Sequence, residues 1–367
     1  MSRPARATIH LDALRHNLAV ARRCAPDARA MAVLKANAYG HGLLPVAHEL
    51  ADQADAFAVS CLEEALPLRE AGLSHRIVLL EGFFEAGELP ILAARQVDAV
   101  IHQPWQIDAL EAVDSSHPID CWIKVDTGMG RLGFAPDEAG EARERLQRLP
   151  AVGTIRWMTH LASADEPDSP QTAEQLARFG SLGIPFGSEG EGDTSSAANS
   201  AATLRWPQAH ADWVRPGILL YGASPFVDPS VHEALRPAMT LSSQLISVKT
   251  LPRGHGVGYG GRFVCPEAMP VGIVAMGYGD GYPRHAPDGT PVLVNGIRVP
   301  LIGRVSMDML AVDLRPVPDA RVGDSAILWG DNPTAGEIAR HCGTISYELF
   351  CRLTPRVPRV YRRSSQE

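Results

Sequence analysis

The sequence predicts an α/β chain in two parts, a (β/α)8 barrel over residues 10–228 and a mostly β domain over 229–367. Three observations carry that prediction. Short apolar runs alternate with amphipathic stretches through the first part, as parallel strands and their crossover helices must. After Pro229 the texture changes to short strand-like runs separated by Gly, Pro and Asp turns. A chain of 367 residues also exceeds one ordinary hydrophobic core, so two domains are the natural expectation.

In the first part, Asp12 is placed to cap a helix carrying Leu14, Leu18 and Ala21 on one face. Residues 31–34 form the first barrel strand, apolar throughout as a strand buried on both faces requires. The next helix covers 43–50 and is interrupted near its start by Pro45. Strands follow at 55–60, 77–80, 97–101, 121–125 and 155–161. Helices lie between them at 62–71 (stopped by Gly72), 85–95, 104–113 (opened by a proline), 136–149 and 171–179. The seventh strand is weak, because 188–197 is polar and glycine-rich and reads alone as loop. Residues 213–215 supply an eighth. Eight strand–helix units are what the barrel needs. In the second part 240–250, 270–276, 291–294, 299–302, 310–314 and 325–329 are strand-like, and only 335–341 is helical.

Composition excludes several classes. A net charge of −8 gives no footprint for nucleic acid or an anionic membrane. No apolar run is long enough to span a bilayer, and residues 1–10 carry basic groups without the apolar core of a secretion signal. The six cysteines (24, 61, 121, 265, 342, 351) lack CxxC spacing, so they read as free thiols, with no metal site. A cytoplasmic enzyme is expected.

The chemistry centres on Ala30-Met31-Ala32-Val33-Leu34-Lys35-Ala36-Asn37-Ala38-Tyr39-Gly40-His41-Gly42, where an apolar strand runs into a lysine and then turns. A half-desolvated amine at a strand end is a nucleophile toward carbonyls. Catalytic groups of such barrels gather at the C-terminal ends of the strands. Four later places qualify. Arg131, in the glycine-rich 126–133, offers a planar fork suited to a carboxylate, though the residues alone read equally as a surface loop. His160 ends the sixth strand, and Asn199-Ser200-Ala201-Ala202 starts a helix. Arg215, among Trp213, Val214 and Ile218, needs partners, because an unpaired buried charge is costly. The loops after strands seven and eight form the usual phosphate site of this barrel, and Ser200, Gly217 and Ile218 fall there. A lysine on one rim and a phosphate cradle on the other suggest pyridoxal phosphate.

The 30–42 stretch closely resembles the cofactor-lysine motif of bacterial alanine racemases, and further matching blocks continue almost to the C-terminus. The resemblance implies a TIM-like barrel joined to a β domain that also takes in residues 1–9. It implies Lys35 as the residue holding pyridoxal phosphate, with Tyr39, Asn199, Ser200, Gly217, Ile218 and Tyr347 among the cofactor contacts. Arg215 matches the arginine facing the pyridine nitrogen and His160 its hydrogen-bonding neighbour. Tyr259, in Gly256-Val257-Gly258-Tyr259-Gly260-Gly261-Arg262-Phe263, matches the second acid–base group, delivered to the neighbouring subunit of a homodimer. A free phenol titrates near 10, and Arg131 is the family's candidate for assisting it. Met307 and Asp308 lie in the carboxylate-binding block, and Tyr278 and Tyr347 match the pair that narrows the entrance. Lys124 matches a lysine that some members carry as a carbamate.

The implied reaction is interconversion of L-alanine and D-alanine by two bases. D-alanine then serves peptidoglycan or alanine catabolism, and Leu80-Glu81-Gly82-Phe83-Phe84 and Met276-Gly277-Tyr278-Gly279-Asp280-Gly281-Tyr282-Pro283-Arg284 lean toward the catabolic isoform. Two rivals share the barrel. An amino acid decarboxylase would set a carboxylate against the pyridine nitrogen where this chain has Arg215. A non-catalytic protein that only binds pyridoxal phosphate would lack the domain carrying Tyr259.

Overall fold

A strand at the head of the chain, β1 (Arg6–His10), does not enter the barrel; it lies between two strands of the second domain. The computed structural model describes residues 3–114, 117–184, 194–226 and 235–363. The domain boundary expected at 228, and most of the expected strand at 188–197, fall outside them.

Eight parallel strands close the barrel in chain order: β2 (Arg29–Val33), β3 (Ala56–Val59), β4 (Arg76–Leu79), β5 (Val97–Ile101), β6 (Ile119–Lys124), β7 (Val152–Met158), β8 (Ser195–Ser196) and β9 (Trp213–Val214). Around them run α1 (Leu11–Cys24), then after a short turn, α2 (Lys35–Tyr39), the helices α3 (Leu43–Leu50), α4 (Leu62–Glu70), α5 (Leu89–Arg95), α6 (Pro104–Ala112), α7 (Ala139–Gln147), α8 (Gln171–Gly180) and α9 (Ser200–Arg205). Two local expectations change. Asp12 sits inside the first turn of α1, whose cap is His10, so it is an acidic first-turn residue that suits the helix dipole and is not the cap. Pro45 does not interrupt α3, because in a first turn its missing N–H removes no intrahelical bond.

The weak seventh strand survives as two serines. Ser195 pairs with Trp157 and Ser196 with Met158 and Trp213. Both are fully buried, and their hydroxyls are used inward: Ser195 Oγ on Asp212 at 3.0 Å, Ser196 Oγ on the Trp213 carbonyl at 2.8 Å. At the N-terminal end of the barrel Arg76 meets Asp98 at 3.2 Å, Arg156 meets Asp120 at 3.0 Å, and Trp122 donates to Asp98 at 3.0 Å. That end is plugged, so the C-terminal mouth is where a ligand can enter.

In the second domain β10 (Met239–Leu251) is the organising strand. It pairs along 241–244 with β17 (Ser325–Trp329) and along 245–251 with β13 (Met269–Val274). With β14 (Pro291–Val294), β15 (Ile297–Ile302) and β16 (Leu310–Asp313), these six strands return on themselves. β11 (Gly256–Val257) and β12 (Phe263–Val264) make a separate hairpin. β1 lies antiparallel to β10 and parallel to β18 (Arg359–Arg362). Two helices, α10 (Ala335–Cys342) and α11 (Ser346–Cys351), occur where the sequence promised one. One hydrophobic core runs without a break from Ala7 and Ile9 through the barrel to Leu349 and Phe350.

Candidate active site

At the barrel mouth lies a cavity of about 1310 Å³. Lys35, half-buried, opens into it directly after β2. The next four residues do something the sequence does not announce: Ala36, Asn37, Ala38 and Tyr39 have φ of 54°, 56°, 53° and 50°. This is a left-handed turn built without glycine. Each such residue costs roughly 1–2 kcal/mol, so the segment is held by its surroundings. Asn37 Oδ1 accepts from Leu43 N–H at 2.8 Å, and the Asn37 carbonyl from Gly42 N–H at 2.9 Å.

The turn delivers the Tyr39 hydroxyl to the loops after β8 and β9. A Cβ on Gly217 would stand 2.6 Å from that oxygen, a contact only glycine avoids. Ser200 Oγ accepts from Gly217 N–H at 2.8 Å and Leu219 N–H at 3.3 Å. Asn199 caps α9, accepting from Ala202 N–H at 3.0 Å. Ser200 and Ile218 begin short helical segments, where first-turn N–H groups have no intrahelical partner. The Tyr39 ring stacks on Tyr221 at 4.7 Å and tilts toward Tyr347 at 5.9 Å. Hydroxyls and N–H groups thus converge in one corner, as an oxyanion requires.

Arg215, buried, lines the same cavity. Its guanidinium donates to Ser196 Oγ, to the Thr159 carbonyl at 2.6 Å and the Ala197 carbonyl at 3.2 Å, and reaches His160 Nδ1 at 3.5 Å. None of these partners is a carboxylate. Burial, and then Arg131, lower its pKa to about 10, so it stays charged at neutral pH. His160 is held well below its ordinary value by burial, then by Arg215, Lys124, Arg131 and Lys35. It is neutral, and Nδ1 can accept. Lys124, the last residue of β6, is pushed down to about 7 by burial first and then by Arg215, Arg131 and Lys35. Arg131 lines the same cavity, as do Asn199, Ile218 and Tyr347.

Tyr259, Tyr278, Met307 and Asp308 are not brought to Lys35 within the chain; none lines its cavity. Tyr259 projects from the second domain, 69% exposed, and Met307 is 52% exposed. Their turns touch: a Cβ on Gly258 would meet Arg304 backbone at 3.5 Å, and Tyr278 N–H donates to the Ser306 carbonyl at 3.0 Å. Asp308 is engaged with Arg356 at 2.5 Å. Sequence reasoning missed Tyr221, Ser196 and Thr159, which seat Tyr39 and Arg215. Their only signal was proximity to strand ends.

Behind the turn His41 is fully buried, with Nδ1 at 2.9 Å from the Tyr39 carbonyl and its ring 4.6 Å from Tyr221 and 5.0 Å from Phe350. Burial pushes its pKa down to about 4. Unfolded histidine titrates near 6.5, so the unfolded chain binds a proton that the fold refuses. The resulting stability is complete above pH 6.5 and is lost as pH falls toward 4. It amounts to about 3 kcal/mol by that linkage, and His160 adds the same sign. Thermal unfolding from pH 7 to 4.5 should show this slope, and His41→Phe should flatten it. An unchanged slope removes His41 as its source.

The barrel with a lysine and an oxyanion corner at its mouth, followed by a β domain, defines a two-domain enzyme class. Residues 9–225 match the family model of the alanine racemase N-terminal domain, and residues 238–361 that of the alanine racemase C-terminal domain. An alanine racemase from Halorhodospira halophila is 53% identical over 363 residues, covering 98% of each chain. A catabolic alanine racemase from Pseudomonas aeruginosa is 51% identical over 98% of this chain and 99% of its own. The crystal structure of the biosynthetic alanine racemase from that organism superposes with a TM-score of 0.94 at 49% identity, covering 98% of this chain and 99% of that one. The chain belongs to the alanine racemase family, and it is an isomerase of amino acids.

Proposed function

We propose that the protein interconverts L-alanine and D-alanine with pyridoxal phosphate held on Lys35, in active sites shared by two copies of the chain. The observation that carries this is one cavity receiving Lys35, the hydroxyl and N–H corner at Tyr39, Ser200 and Gly217, and an arginine paired with no carboxylate. That donor set fits the cofactor: a phosphate suits the corner, an aldehyde suits the amine, and Arg215 suits a ring nitrogen. When bound, pyridoxal phosphate supplies an electron sink that lets the α-proton of an amino acid leave. Arg215 can donate to the ring nitrogen without surrendering its proton, which keeps that sink weak and favours return of the proton to the α-carbon. The same residue argues against the decarboxylase reading, and the domain carrying Tyr259 argues against a mere carrier.

Lys35 would hold the cofactor and, as a free amine, would move a proton on one face of the α-carbon. Tyr259 of the partner subunit serves the other face. Its exposure and its absence from its own Lys35 cavity support that assignment. Arg131 and the N–H of the partner subunit's Met307 bind the substrate carboxylate, Asp308 steadies the Met307 turn through Arg356 within each copy, and Tyr278 of the partner subunit with Tyr347 limits side-chain size. Residues 10–228 form the cofactor domain and 229–367, with 1–9, the domain that completes the partner's site. Lys124, partly uncharged near neutral pH, is in the form that adds carbon dioxide, and its carbamate would face Arg131. A mass gain of one carbon dioxide on Lys124 in bicarbonate tests this, and its absence overturns it. All six cysteines are free, which supports a reducing, cytoplasmic setting. Among the described residues no helix is long and apolar enough to cross a membrane. The D-alanine serves peptidoglycan or alanine catabolism, and relatives at about the same identity carry both the biosynthetic and the catabolic name.

Incubation of the holoenzyme with L-alanine in deuterated water tests the reading. Loss of optical rotation with deuterium at the α-carbon of the product is expected. Neither change, with cofactor bound, would overturn it. Gly217→Ala places a methyl against the Tyr39 hydroxyl. Overpacking of this kind costs about 1–3 kcal/mol, so cofactor affinity should fall roughly 5- to 150-fold. Equilibrium dialysis of the apoprotein checks it, and wild-type affinity would remove Gly217 from the cradle.

A further inference from the structure

The left-handed turn after Lys35 is gripped at both ends by charged side chains that do not line the cavity. At its start Glu64, from α4, accepts from Ala36 N–H at 2.6 Å through Oε1. Its Oε2 accepts from Ser60 N–H and the Ser60 hydroxyl, both at 2.9 Å. At its end Arg359, at the head of β18, donates from Nε to the Gly40 carbonyl at 3.0 Å. Three more of its N–H groups go to the carbonyls of Leu353, Thr354 and Val357 at 2.9 Å each. One carboxylate therefore holds the first N–H of the turn and one guanidinium the carbonyl of Gly40, which closes it, each by a charge-assisted bond.

We propose that Glu64 and Arg359 are positioning residues that hold the turn 36–39 in its left-handed form, and so aim the Lys35 amine and the Tyr39 hydroxyl into the cavity. This rests on the reading that Lys35 is catalytic. Four consecutive L-residues at positive φ do not stay there unaided. Relaxation of Ala36 alone rotates the peptide that follows the lysine, and relaxation of Tyr39 withdraws its hydroxyl from Gly217. The clamp also has two origins. Glu64 comes from the barrel and Arg359 from the β domain, so the lysine is aimed only when both parts of the chain are in place.

The test compares Glu64→Ala, Glu64→Gln, Arg359→Met and Arg359→Lys holoenzymes with wild type, turnover being counted per cofactor-loaded site. Misplacement of a reacting group by about 1 Å costs on the order of 10²-fold. The Ala and Met variants should lose roughly 10- to 100-fold in kcat, with the KM for alanine changed less than about threefold. The pH limb of kcat that reports the lysine should move, whereas a merely structural loss would scale the profile without shifting it. Hydrogen exchange at the Ala36 amide should quicken in Glu64→Ala. Glu64→Gln and Arg359→Lys keep part of each contact and should lie between, which carries the test where a larger change prevents folding. Glu63→Ala, an exposed neighbour, should match wild type throughout. Wild-type kcat and pH profile in Glu64→Ala and Arg359→Met would overturn the proposal. Retained racemisation in Lys35→Ala would overturn the underlying reading instead.

Discussion

Lys35→Ala should abolish racemisation, by roughly 10⁴-fold or more, while leaving the fold and the Tm nearly unchanged. The side chain is half-buried at the mouth of a large cavity, and no hydrophobic packing depends on it. On the proposed function, removing it deletes a covalent anchor and a proton carrier together. Borohydride treatment followed by mass analysis should fix cofactor to wild type and not to the variant. Adding a small primary amine should restore a fraction of turnover, because the missing function is a free amine in a preserved cavity. Turnover near that of wild type without the lysine would end the assignment.

Tyr259→Phe should cost about 10²- to 10⁴-fold and reveal the second face. Because the enantiomers are equal in energy, kcat/KM must fall equally in both directions. The asymmetry appears in α-proton exchange instead. The face served by Lys35 should still exchange its proton with deuterated water, while the face served by Tyr259, expected to be that of L-alanine, should not. Mixing is the sharper experiment. A dimer of one Lys35→Ala chain and one Tyr259→Phe chain holds one intact site if the tyrosine crosses between copies. Random reassociation of the two inactive variants should then restore about a quarter of wild-type activity. No recovery after confirmed exchange of subunits would show that each chain builds its site alone.

Much of the architecture was legible because barrel physics leaves a plain mark: apolar runs that become strands, and chemistry at their C-terminal ends. Lys35, His160, Ser200 and Arg215 were found by that rule, and the structure brings them to one cavity. What stayed hidden has physical reasons. Ser195 and Ser196 form a strand whose hydroxyls are used inside the barrel, so hydropathy reads it as loop. The left-handed turn contains Ala, Asn and Tyr in place of the glycine that usually marks positive φ. Its clamps lie 28 and 319 residues from their partners, distances no local pattern spans. Tyr259 is joined to Lys35 by no periodicity at all; only resemblance to a family links them.

The placement of β1 has a consequence for how the molecule is made. Ile9 pairs with Met239, and Tyr361 with Ile9. On the ribosome β1 therefore emerges with neither neighbour yet synthesised, and must wait while more than 200 residues of barrel are laid down. Loop closure over that span is slow compared with the local pairings of the barrel strands. Residues 6–10 thus act as a bookmark, left open at the start of translation, closed on one side once β10 follows the barrel and on the other only at the end. A chain truncated before β18 should keep a barrel and the β1–β10 pairing yet leave the other side of its leading strand open, a ready edge for association with other nascent chains.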